Sequence, residues 1–269
     1  MSNITVSGLF VYPIKAAKGI EVSRARITPL GFECDRRFML VDARGEFITQ
    51  RDHAALALIE TSIDAETLVV RAPGHDALRL PLRLHGSPDR TVRVWKDQCR
   101  AIFAGKTAAD YFSLHLNKPV ELVFMPEAEG RMVDTEYAKR GEKVSFADAF
   151  PFLLATEESL ADVNARLVDG VPMNRFRPSI VVRGAPPWAE DTWTSMSIGN
   201  AVFHFSKPCQ RCHVITIDQA TAARGIDPLA TLATFRSRAN KVYFGWNLVA
   251  EGDGEVHVGD RVTLIGQTA

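Results

Sequence analysis

Two cysteines three positions apart, in Cys209-Gln-Arg-Cys212, are the residues of this 269-residue chain best placed to do chemistry. A thiolate is a nucleophile and a soft metal ligand, and cationic neighbours favour it over the thiol. Lys207, Arg211 and His213 all stand within three positions of one of these cysteines. The spacing admits four readings. A structural zinc site needs four ligands, often a second close pair, and Cys34 and Cys99 stand apart and alone. A thioredoxin-like dithiol wants its pair at a helix start, yet the HVITI run that follows is strongly β-prone. A single thiolate can hold a soft or high-valent metal with the other cysteine a bystander. Two buried small hydrophobes are the fourth reading.

A second set of residues suits a phosphorylated ligand. Positive side chains gather at turn-adjacent motifs: Lys15 and Lys18, Asp35-Arg36-Arg37, Gln50-Arg51, Arg175-Phe-Arg177-Pro178, and Arg211 beside Cys212. Arginine presents a planar fork for bidentate phosphate contacts and lysine a point charge. Taken singly, each is an ordinary surface ion-pair partner. Lys+Arg and Asp+Glu balance at 32 each, so any anion site is local and neither nucleic acid nor a membrane surface is an expected partner. No apolar run reaches the length of a membrane span. Four cysteines and a start unlike a signal peptide lead to the expectation of a cytoplasmic location.

The elements that must carry these residues read mostly as strands. Residues 4–12 form an opening strand, 37–51 a hairpin turning at Ala43-Arg-Gly45, and 56–61, 68–72, 77–84 and 91–95 further strands. The cysteine pair falls between the strand-like 202–205 and an alternating run through Asp218, and 256–265 reads as a hairpin-like close. Three helices are legible. Thr107-Ala-Ala-Asp110 resembles a capping box with Ala108, Tyr111, Phe112 and His115 on one face. Residues 156–167 carry the stripe Leu160, Val163 and Leu167, and Asp227-Pro228 opens a third with Leu229, Leu232 and Ala233 inward. The charged stretch 125–144 is the candidate boundary.

Taken together, YPIKAAKGIEV, DRRFMLVDARGEFITQR, FPFLLATEESLADVNARL, RFRPSIVV, WAEDTW, CQRCHVITID and VHVGDRVTLIG resemble the MOSC family, in order and over nearly the whole chain. The likeness is narrower to its members that reduce N-hydroxylated bases. It implies a β-dominated α+β chain: an N-terminal MOSC-associated β-barrel-like domain over 1–122, then a MOSC β-barrel domain over 123–269 with a few helices. It implies a molybdenum cofactor (Mo-molybdopterin) between them, with Cys212 as the catalytic, metal-binding sulfur. Lys15 and Arg36 match phosphate-holding positions, Arg177 and Arg211 further cofactor contacts, and Arg51 a weaker one. Ala16 stands where relatives carry a phosphate-binding serine, and Ser179 where they carry an asparagine. The implied activity is reduction of a small N-oxygenated substrate. Its electrons would come from a separate ferredoxin, flavodoxin or cytochrome donor. The rival functions are a persulfide sulfur carrier on Cys212 and a non-catalytic cofactor binding or delivery protein.

Overall fold

The computed structural model describes residues 3–138 and 140–268, and it is a β-dominated α+β chain, as expected. Its largest sheet has nine strands. The order is Ile20–Val22, Thr5–Val11, Ile180–Arg183, Phe152–Thr156, Lys241–Glu251, Ala201–Gln210, Trp193–Ile198 and Val262–Gln267, with Ser237–Arg238 paired to Lys241–Glu251. Alternation drives the burial. Val6, Leu9 and Val11 of the first strand meet Leu154, Ile180, Phe203 and Leu248 in one apolar cluster.

Phe152–Thr156 runs parallel to Ile180–Arg183. A parallel pair needs a crossover, and the helix Glu157–Asn164 lies within that connection. Thr156 caps this helix by accepting the Ser159 N–H at 3.1 Å, and Glu157 and Glu158 complement the positive end of its dipole. Val163 is fully buried, with Leu160 and Leu167 packed beside it, as the stripe predicted.

A second layer is built from residues of the first half. Phe38–Val41, Glu121–Phe124, Asp97–Phe103 and Arg90–Val94 form one sheet; Glu60–Asp64, Thr67–Arg71 and Leu78–Pro81 form another. The helix Lys106–Leu116 buries Ala108, Phe112 and Leu116 in the adjoining core. The two ends of the chain are interleaved: Thr5–Val11 pairs with Ile180–Arg183, and Arg24–Thr28 with Gly254–His257. Glu121–Phe124 runs through the expected junction at 122/123.

Several local expectations are corrected. The supposed capping box makes no side-chain cap; Gly105 precedes the helix, and Asp110 pairs with Lys106 instead. Residues 46–51 form no strand beyond isolated bridges from Phe47 to Val41 and from Glu46 to Arg93, because Asp42 accepts the Arg44 and Glu46 N–H groups and curls the chain. The stretch 56–61 is a 3-10 turn, Ala54–Leu58, leading into Glu60–Asp64. The closing segment is not a hairpin: Gly254–His257 pairs with Arg24–Thr28, whereas Val262–Gln267 pairs with Trp193–Ile198. In the third helix, Leu229–Phe235, Leu232 is buried but Ala233 faces outward.

Candidate functional site

Cys212 ends the approach from the strand Ala201–Gln210 and precedes a 3-10 turn, His213–Thr216. The alternating run after the cysteines is therefore not a strand. Its apolar residues are buried all the same, since Ile215 and Ile217 pack inward. Arg175 fixes this turn from below. Its buried guanidinium donates to the Ile215 carbonyl at 2.8 Å, to Asp218 at 3.1 Å and to the Asp227 carbonyl at 3.2 Å. Of the two arginines in RFRP, Arg175 thus holds the loop, whereas Arg177 is left to face the cleft.

All six residues singled out by sequence, Lys15, Arg36, Arg51, Arg177, Arg211 and Cys212, line one cleft of about 930 Å³ including its mouth. Three come from the first half of the chain and three from the second. Cys212 is exposed there, and Cys209 is half-buried on the same wall. Among the described residues no group of three or more His, Cys, Asp or Glu is arranged to hold a metal, so the four-ligand zinc reading finds no partners.

The cations are held by different means. Lys15 is 6% exposed and donates to the Phe146 carbonyl at 2.7 Å while pairing with Asp148. Burial pulls the Lys15 amine below the usual lysine range, against the pull of Asp148. Arg36 pairs with the buried Asp35 at 2.6 Å, and Asp35 also accepts the Tyr12 N–H at 2.8 Å. Arg36 and Arg177 both lie over the Tyr12 ring, at 4.3 and 4.4 Å from its centroid. Burial pushes the Tyr12 phenol up to about 12 and the Arg177 guanidinium down to about 10. The Tyr12 hydroxyl donates to the Pro178 carbonyl at 3.0 Å. Gly19 makes room for this ring: a Cβ there would lie 2.5 Å from Tyr12.

Ala16, Arg36 and Arg177 all hold positive φ, at 70°, 49° and 55°. Non-glycine residues in that region cost energy and persist where their surroundings over-determine them. Ala16 offers no hydroxyl to the cleft, and its carbonyl accepts from Gln50 at 2.7 Å. Ser179 instead serves the sheet: its N–H donates to the Leu153 carbonyl at 2.8 Å.

Two of the six are less free than sequence suggested. Arg211 donates from Nη1 to Cys209 Sγ at 3.0 Å and from Nη2 to the Phe176 carbonyl at 2.7 Å. Cys209 is thus in contact with a cation. Arg51 lies over the Trp95 ring at 4.5 Å. Sequence reasoning missed Asp148, Tyr12 and the reciprocal amide pair Gln50–Gln219, which ties the turn carrying Arg51 to the segment after Cys212 at 2.9 and 3.1 Å. The signal for Tyr12 was present in the YP-x-K turn; the amide pair left none in single-residue types.

Residues 3–119 match the MOSC N-terminal beta barrel domain and residues 141–263 the MOSC domain. Human mitochondrial amidoxime-reducing component 1 is 32% identical over 98% of this chain and 83% of its own length. The chain belongs to the MOSC family. Bovine mitochondrial amidoxime reducing component 2 is 33% identical over 96% of this chain and 82% of its own. Molybdenum cofactor sulfurase of Oryza sativa subsp. japonica is 30% identical over 99% of this chain but only 35% of its own length. The expected cytoplasmic location is overturned, because these amidoxime-reducing MOSC proteins, matched over nearly the whole chain, are named mitochondrial. No helix among the described residues is long and apolar enough to cross a membrane.

Proposed function

We propose that this chain is a molybdenum-cofactor-dependent oxidoreductase that reduces small N-hydroxylated or N-oxygenated compounds. Electrons would come from a separate ferredoxin-, flavodoxin- or cytochrome-type donor. The observation that carries this reading is the convergence of an exposed thiol and five cationic side chains, drawn from distant parts of the chain, on one cleft. The names of relatives matched over most of their length support it. The proposed division into 1–122 and 123–269 then puts the cleft where residues of both units meet.

The donor set fits the cofactor. Cys212 offers a soft sulfur ligand open to the cleft. Lys15, Arg36 and Arg177 offer charge-assisted hydrogen bonds to a phosphate, with Arg51, which lies over Trp95, a weaker contact. Arg211 contributes by holding Cys209 and the Phe176 carbonyl in place. When bound, the cofactor supplies the two-electron oxygen-atom chemistry. The protein's part is orientation and electrostatics: buried guanidinium groups favour negative charge developing on a substrate oxygen, a contribution of about 3 kcal/mol for a well-placed donor. Phe150, Phe152 and Phe176 give the cleft apolar walls that restrict water.

The test uses protein from a host able to make the cofactor. Elemental analysis and pterin fluorescence are expected to give molybdenum and pterin near one per chain, with the metal held more weakly, though not absent, in Cys212→Ser. Dithionite-reduced protein is expected to consume an N-hydroxylated substrate, while NAD(P)H alone does not drive it. Persulfide on Cys212 without metal would replace this reading with a sulfur carrier. Tight cofactor with no turnover would replace it with a delivery protein.

A further inference from the structure

Lys15 and Arg51 belong to the first half of the chain, Arg177 and Cys212 to the second, and a short arm from the second half reaches across to the first. Past the 3-10 turn after Cys212, Ile217 and Arg224 form an antiparallel bridge, and the Asp218 N–H donates to the Ala223 carbonyl at 2.8 Å, which closes a tight loop. Arg175 anchors its base through the Ile215 carbonyl and Asp218. Asp218 shapes the tip by accepting the Ala220 and Thr221 N–H groups at 2.9 and 2.8 Å. From this loop Arg224 donates to the Arg51 carbonyl at 2.8 Å, and Gln219 meets Gln50. Gln219 is 4% exposed and Gln50 1%. All the amide N–H bonds of the pair are used. Gln50 Nε2 donates to the Ala16 carbonyl at 2.7 Å and to Gln219 Oε1 at 3.1 Å; Gln219 Nε2 donates to Gln50 Oε1 at 2.9 Å and to the Ile217 carbonyl at 3.0 Å. The two backbone carbonyls fix which way each amide points, since a reversed amide would set oxygen against oxygen. Gln219 Oε1 also accepts from Arg177 at 3.4 Å.

We propose that Gln219 is a positioning residue: paired with Gln50, it is the strut that sets the gap between the turns carrying Lys15 and Arg51 and the opposite wall carrying Arg177 and Cys212. This inference rests on the proposed cofactor reading and adds to it the part that gauges the site. A buried amide pair with every donor used has one favourable separation, because sliding either wall leaves buried N–H groups unmet. Apolar contact is non-directional and does not fix a distance in this way. The bond from Gln50 also holds Ala16 at a φ of 70°, a costly conformation for a residue with a Cβ, and Lys15 is its chain neighbour. On the other side Gln219 Oε1 reaches Arg177. One side chain thereby registers cations from both halves, as a ligand gripped at once by those cations and by Cys212 requires.

The test compares wild type, Gln219→Leu, Gln50→Leu, the double variant and Ile198→Ala, each the full chain from a host able to make the cofactor. Ile198 is buried in the main apolar cluster and pairs with Ala201, the end of that strand remote from Gln210, so Ile198→Ala removes core contacts without touching the strut. Well below every melting temperature, pterin release is expected to be roughly tenfold faster in each glutamine variant. In Ile198→Ala it should stay within about twofold of wild type, although that variant melts as low or lower. The double variant should release pterin about as fast as either single one, because breaking one end already opens the strut. Hydrogen exchange on the same samples gives a second reading. Gln219→Leu should speed exchange of the Ala17, Asp52 and His53 amides, whose bonds close the turns around Lys15 and Arg51, and Ile198→Ala should not. Should Gln219→Leu fail to fold, the double variant, whose leucines leave no amide donor unmet, carries both readings. Glutamine variants that hold pterin as wild type does, release that tracks melting temperature across all five proteins, or unchanged exchange overturns the inference. A wild type without pterin whose first-half exchange still responds to Gln219→Leu defeats the cofactor reading and leaves the strut standing.

Discussion

The four cysteines fall into two environments, and the contrast explains why only one pair suits chemistry. Cys34 and Cys99 rest against the apolar clusters of the first half, and burial pushes both thiols up to about 11. For Cys34 the neighbouring Glu33 adds to that shift; for Cys99 the nearby Arg131 opposes it without winning. Cys212 is exposed in the cleft, and Cys209 has the Arg211 guanidinium at 3.0 Å. One residue type is a small hydrophobe in one place and a candidate ligand in another, and the neighbours decide which.

The sharpest way to break this contrast is alkylation at pH 8. Cys212 is expected to react with iodoacetamide roughly 100-fold faster than Cys34 or Cys99, read by peptide mass spectrometry over time. Comparable rates at all of them would show that the two environments do not differ in reactivity.

Next in size is the loss of Arg36. Arg36→Met leaves Asp35 buried without its ion-pair partner, and unfolding by urea should show about 3–5 kcal/mol of destabilisation. Adding Asp35→Asn should recover part of it. Lys15→Met presents the opposite balance, because its partner Asp148 is exposed and needs no replacement. That variant should fold nearly as well as wild type yet retain pterin roughly tenfold more weakly. A variant that loses stability but keeps pterin would place Lys15 in the scaffold and not in the site.

The smallest effects are those of pH. Folding holds the Asp148 carboxyl near 2, below its ordinary 3.8, so its contribution is complete above about pH 4 and is lost as pH falls from 3.8 toward 2. The two half-buried thiols behave in the other sense. Their folded values near 11 exceed the ordinary 9.0, so their contribution is complete below pH 9 and is lost between 9 and 11. Thermal melts of the double variant Cys34→Ala, Cys99→Ala should lose less between pH 9 and 11 than wild type does.

Much of the site was legible because its residues lie in short motifs at turns. YP-x-K, DR and RFRP place Lys15, Arg36 and Arg177 on the cleft, and the cysteine motif places Cys212 there too. What sequence could not supply was the partner of each side chain. Arg211 reads as a free cation beside the ligand, yet its guanidinium is committed to Cys209 and the Phe176 carbonyl. Asp148 sits in a segment without any motif, and only the fold brings it to Lys15 across 133 positions. The fold follows the same division. Local rules found the helix after Thr156 and its Val163 stripe, since their information lies within one helix. The closing hairpin failed because Val262–Gln267 finds a better partner in Trp193–Ile198 than in its neighbour, a choice that sequence spacing does not encode. The HVITI run failed as a strand because Arg175 pins the Ile215 carbonyl in a turn.

The central claim is that the Cys212 sulfur binds the metal in a cleft whose cations bind the rest of the cofactor. Molybdenum X-ray absorption on wild type and Cys212→Ser, both purified with pterin still bound, addresses it directly. One more sulfur neighbour at molybdenum in wild type than in the variant is the predicted result. Identical sulfur coordination in the two proteins would contradict it.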